Sequence, residues 1–144
     1  MTHENKGHYA KKHPAHSKVK PEIAQAVKQR ASDREISCAA AHKIAADLGV
    51  QPDEVGFGLD LLEIRIVKCQ LGLYGFRPEK RVVKPAEGVS ESLEGAIKES
   101  LIEERLLCTA AWDIAERFGI ARMDVSSACE ALKIKISSCQ LGAF

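Results

Sequence analysis

The strongest constraint on this chain is that it nearly repeats itself. Residues 38–74 (CAAAHKIAADLGVQPDEVGFGLDLLEIRIVKCQLGLY) align without a gap on residues 108–144 (CTAAWDIAERFGIARMDVSSACEALKIKISSCQLGAF), at a constant offset of 70. Fourteen of the 37 aligned positions are identical. They include Cys38/Cys108, Ile44/Ile114, Ala45/Ala115, Gly49/Gly119, Val55/Val125 and the Cys-Gln-Leu-Gly runs at 69–72 and 139–142. The match continues upstream, where Ile23, Ala26 and Val27 fall on Leu93, Ala96 and Ile97. Each copy, with its upstream extension, is about 54 residues, and the segment 77–90 joins the two.

Each copy predicts the same elements. A helix is expected over about 21–31, opened by Pro21, with Ile23, Ala26 and Val27 on one face. A second is expected over about 36–48 and stops at Gly49, a residue suited to a left-handed cap. Its expected inward residues are Ala40, Ala41, Ile44, Ala45 and Leu48. A third starts near Pro52 and runs to about Leu62, burying Val55, Leu59 and Leu62. The β-branched alternation from Ile64 to Cys69 predicts a short strand. An isolated strand needs a partner for its backbone groups. The expectation is that Ile64–Cys69 and Ile134–Cys139 pair antiparallel near a pseudo-two-fold axis.

Charge divides the chain along the same lines. Residues 1–20 carry a net +4, 21–76 a net −2, 77–90 a net +2 and 91–144 a net −3. The expected organisation is a disordered basic tail (1–20), a first unit (21–76), a basic linker (77–90) and a second unit (91–144). The tail holds His3, His8, His13 and His16 but few aliphatic residues. Such a segment buries too little surface to offset its chain entropy. It is a solubilising segment or an arm for phosphate. Its histidine spacings are irregular for a metal site. The first residues lack the apolar core of a secretory signal, and no apolar run reaches the ~20 residues of a membrane helix. A cytoplasmic protein without a membrane contact is therefore expected.

Two helices cross steeply through a short turn only where their near faces are small. Ala45 and Ala115 lie four residues before the turn glycines, and Val50/Ile120 and Val55/Val125 fill the wedge. The pattern I-A-x-x-[LF]-G-[VI]-x(4)-V resembles the helix-turn-helix of prokaryotic DNA-binding proteins, and the strand after it is similar to the winged-helix variety. The resemblance covers about 38 residues of each unit. It implies a mainly α fold of two tandem helix-turn-helix, winged-helix-like repeats with short strands. It further implies a transcription regulator whose third helix enters the major groove. The residues that would contact DNA are Gln51 in the first unit and Arg122, Ser126 and Ser127 in the second. Phosphates would be held by Arg77, Lys80, Arg81 and Lys84 of the linker. One chain would then act as a pseudo-dimer, or pair as a homodimer.

The chain departs from that family in its charges. The third helix of the first unit opens with Asp53 and Glu54, which repel phosphate, and contains Gly56 and Gly58. An adaptor for another protein is the competing expectation, since such repeats also serve as interaction modules. Five cysteines, Cys38, Cys69, Cys108, Cys129 and Cys139, include no C-x-x-C pair, and structural disulfides are not expected. Their 31-residue spacing recurs in both units, and duplication accounts for it without a metal; a thiol- or metal-based sensor is the third reading. No nucleophile elbow, phosphate loop or dinucleotide fingerprint occurs. His42 aligns with Trp112, a packing position. Neither catalysis nor a cofactor is expected.

Overall fold

The structure, a computed structural model, describes residues 8–15 and 17–144. It is mainly helical, with four strands of three residues each. None of the helices among the described residues is long and apolar enough to cross a membrane.

The first series of elements runs α1 (Pro21–Arg30), β1 (Glu35–Ser37), α2 (Cys38–Leu48), α3 (Pro52–Leu61) and β2 (Arg65–Val67). Pro21 opens α1 and Glu22 stands in its first turn, where an acid suits the helix dipole. Ile23 and Val27 face inward. The chain then reverses through Ser32–Glu35, whose backbones exchange two 2.9 Å hydrogen bonds. Asp33 and Arg34 take positive φ (52° and 62°), as a tight two-residue reversal demands. Ser37 caps α2 by accepting from the Ala40 amide at 3.1 Å. Gly49, at φ 67°, ends α2 in the left-handed region.

The second series is α4 (Glu91–Glu99), β3 (Arg105–Leu107), α5 (Cys108–Phe118), α6 (Arg122–Leu132) and β4 (Lys135–Ser137). Backbone detail recurs at the same offset. Glu103 and Glu104 take the place of Asp33 and Arg34 at positive φ, Lys133 that of Glu63, and Ser138 that of Lys68.

The strands correct the expected pairing. β1 pairs with β2 in parallel, Ile36 opposite Ile66, and β3 pairs with β4 in parallel, Leu106 opposite Ile136. No antiparallel ribbon joins Ile64–Cys69 to Ile134–Cys139, because each strand finds its partner inside its own series. A parallel pair needs a crossover of a dozen or more residues, and the two helices between the strands supply it. The sequence reading missed β1 by starting the second helix at residue 36. Leu48 is a second correction: it is 37% exposed, while Ala41, Ile44 and Ala45 of the same helix are buried.

The chain forms two compact units, and their boundaries do not follow the expected linker. One unit contains the described residues up to Cys69 together with Gln140–Phe144. Its core is Ile23, Val27, Ile36, Ile44, Val55, Leu59 and Ile66, closed by Leu141. The other contains Gln70–Cys139, linker included. Its core is Ile97, Leu106, Ile114, Val125 and Cys129, with Leu71 and Val83. Each Cys-Gln-Leu-Gly run is thus divided after its cysteine. The glycine at position 56 has its reason here: a Cβ on Gly56 would overlap the Leu141 carbonyl.

Candidate functional site

In the second unit the linker residues lie along α6. The Gly72 carbonyl accepts from the Val82 and Val83 amides at 3.0 and 3.2 Å. A Cβ on Gly72 would stand 3.1 Å from Met123 Sδ and 3.2 Å from Val83 Cβ, so only glycine fits comfortably between them. Arg81 forms an ion pair with Glu130 of α6. Further on, the Ala86 amide donates to the Ser127 carbonyl at 3.0 Å. These contacts hold residues 81–86 against one side of α6, with Arg77, Lys80 and Lys84 exposed.

The first turn of α6 carries Arg122. Its guanidinium lies over the Trp112 ring, 3.5 Å from the centroid, and Nη1 donates to Gln70 Oε1 at 3.2 Å. Stacking on one face and a hydrogen bond at the edge fix a planar cation in place while leaving further N–H donors on it. Asp124 turns back to accept from the Ala121 amide at 3.1 Å, which occupies that acid in the cap.

Six of the predicted contact residues therefore come together in one unit: Arg122, Ser127, Arg77, Lys80, Arg81 and Lys84. Ser127 is half-buried under the linker. Ser126 is a correction: it is fully buried, and its Oγ has no hydrogen-bond partner, so it cannot face a groove. The rotation of α6 that buries Val125, Ala128 and Cys129 carries position 126 inward with them. Gln51 stands apart from the group, exposed before α3 in the first unit.

The first unit covers its third helix differently. Residues 9–12 form a short 3-10 helix within the segment for which composition suggests disorder. Residues 1–7 and 16, and with them His3 and His16, lie outside the described residues. Glu63 accepts from the Tyr9 and Ala10 amides, both at 2.8 Å. Asp60, 5% exposed, takes Lys12 Nζ at 3.0 Å and His13 Nε2 at 2.9 Å on one oxygen. The His13 ring meets the Phe57 ring edge-on, 4.5 Å between centroids. Lys12 also donates to the Gly142 carbonyl at 3.2 Å. Val19 lies over Gly58. Asp60 and Glu63 hold this segment, a role the sequence did not suggest for either. Asp60 aligns with Glu130, and both lie on the third helix.

None of the five cysteines forms a disulfide; four are buried and Cys139 is half-buried. Burial pushes the Cys129 thiol up from 9.0 to about 11, so it stays protonated and unreactive. Among the described residues no group of three or more His, Cys, Asp or Glu is placed to hold a metal ion. Compared with known proteins, the chain matches no family model, and no curated protein or solved structure is significantly similar to it.

Proposed function

We propose that the chain is a non-catalytic DNA-binding protein, a transcription regulator built from two duplicated helix-turn-helix units, with DNA contact on its second unit. The observation that carries this reading is the packing of residues 81–86 along α6. It puts Lys84, exposed, between two contacts with the helix whose first turn presents Arg122. Cations along the flank of such a helix can hold it against a phosphate backbone. The short strands would take the place of a wing. Neither Lys80 nor Lys84 has an ion-pair partner among the described residues, so both are available to phosphate.

The reading assigns the first unit a supporting role. Its α3 opens with the acids Asp53 and Glu54, and its flank is covered by residues 9–13 and Val19. Those acids favour a basic protein surface over DNA, which keeps the adaptor reading alive for this unit alone.

Titration of a fluorescent mixed-sequence duplex with the full chain at two salt concentrations tests the proposal. Binding that weakens steeply with salt is expected. In Lys80→Gln/Lys84→Gln the slope of log K against log salt should fall by about 2, one for each lysine that no longer neutralises a phosphate. Absence of salt-dependent binding by the full chain overturns DNA contact and makes the adaptor reading the working one.

A further inference from the structure

Residues 9–13 of the first unit include Lys11, Lys12 and His13, and the last two are turned onto one of the protein's own carboxylates. Lys12 and His13 share Asp60, and the two amides that open the 3-10 helix share Glu63. We infer that this segment is an autoinhibitory strap: α3 stores a DNA-contacting arm, and duplex phosphate releases it. The inference rests on the DNA-binding reading above and adds its regulation.

Three features support a displaceable strap over a permanent part of the core. Its holding contacts are mostly polar, and among its described residues only Tyr9 is deeply buried. The side chains of Lys12 and His13 keep 18% and 22% exposure, so a competing anion can approach them. DNA carries one charge per about 1.7 Å of axis, far denser than the pair Asp60 and Glu63, and it offers the Lys12 ammonium and the segment's N–H donors equivalent partners. Exposed Lys11, which has no ion partner among the described residues, would open the exchange. Once free, the segment from residue 8 to α1 spans up to about 40 Å when extended, enough to follow a duplex away from α3. The cost of release is the Glu63 and Asp60 hydrogen bonds, and the gain is phosphate contact by Lys11, Lys12 and His13.

The test compares three full chains on the same fluorescent duplex: wild type, Asp60→Asn/Glu63→Gln, and Glu22→Gln/Asp33→Asn. The last makes the same charge change on the first unit at exposed positions away from the strap. Amide exchange at Tyr9 and Ala10 is followed in the wild type with and without duplex. The expected result is binding by Asp60→Asn/Glu63→Gln about fivefold tighter than by the control pair. Faster exchange at Tyr9 and Ala10 in the wild-type complex is expected alongside it. Affinity equal to the control overturns the strap. So does continued protection of Tyr9 and Ala10 in a saturated complex, and that outcome leaves DNA binding standing. Absence of binding by all three chains overturns the strap and the DNA reading together.

Discussion

At the scale of single residues, position 126 shows how a helix is rotated by its neighbours. Placed near the start of α6, Ser126 has the chemistry of a base-contacting residue. It is nevertheless buried beside Val125, Ala128 and Cys129. The alignment carried the warning: its counterpart Gly56 is also small, and there a larger residue would strike the Leu141 backbone. Cys129 obeys the same burial and gives a pH prediction. Its thiol is raised to about 11 in the folded chain. Below pH 9 both folded and unfolded chains keep the proton. Between pH 9 and 11 the unfolded chain releases it and the folded chain does not, so folding stability falls across that window. The loss is about 3 kcal/mol at most. Melting temperatures of wild type and Cys129→Ala, measured from pH 8 to 11, should converge as pH rises. A constant difference would rule the thiol out as the cause.

At the scale of elements, periodicity made the helices legible. The spacing of Ile23 and Val27, of Ala41, Ile44 and Ala45, and of Val55 and Leu59 marked the centre of each buried face, while Ala26, Ala40 and Leu62 at its margins are only half-buried and Leu48 is exposed. Caps and turn glycines set the ends, as at Gly49 and Gly119. What escaped was β1, because three residues, Glu35–Ser37, give too short a pattern beside an eleven-residue helix. Its pairing with β2 is a fact about residues 30 apart, invisible to a local window. The glycines in α3 were legible as a cost and not as a purpose. Gly56→Ala should therefore destabilise the chain by about 2 kcal/mol or more, despite gaining up to about 1 kcal/mol of helix propensity. Gly95→Ala, in α4 with open space at its Cβ, should stabilise by about 0.5–1 kcal/mol. Urea unfolding of both variants checks the pair. A destabilised Gly95→Ala or a neutral Gly56→Ala would contradict this account of the two sites.

At the scale of the molecule, the Cys-Gln-Leu-Gly runs join what the linear order separates. The expected spans 21–76 and 91–144 are contiguous, whereas the first compact unit needs Gln140–Phe144 to be complete. Leu141 is 2% exposed there, and its backbone lies against Gly56. Deleting residues 140–144 should consequently loosen the first unit and spare the second. Hydrogen exchange should show the amides of Val27 and Ile44 losing protection while those of Ile97 and Ile114 keep it. Equal loss in both units, or none in either, would remove the division as the explanation.

Sequence by itself determined the local architecture: a mainly helical chain, the spacing of its buried faces, its turn glycines and its duplication at an offset of 70. These follow from helical periodicity and backbone sterics, which act between near neighbours and are written in short patterns. Tertiary structure alone decided which strands pair, which segment closes each unit and where the basic residues spend their charge. Asp60 and Glu63 hold residues 9–13 across more than 45 positions of chain, and Glu130 holds Arg81 across 49. Such contacts form only after the helices have packed. Residues 9–13 lie in a segment whose composition predicts disorder, and their partners are two carboxylates that the segment's own sequence does not contain.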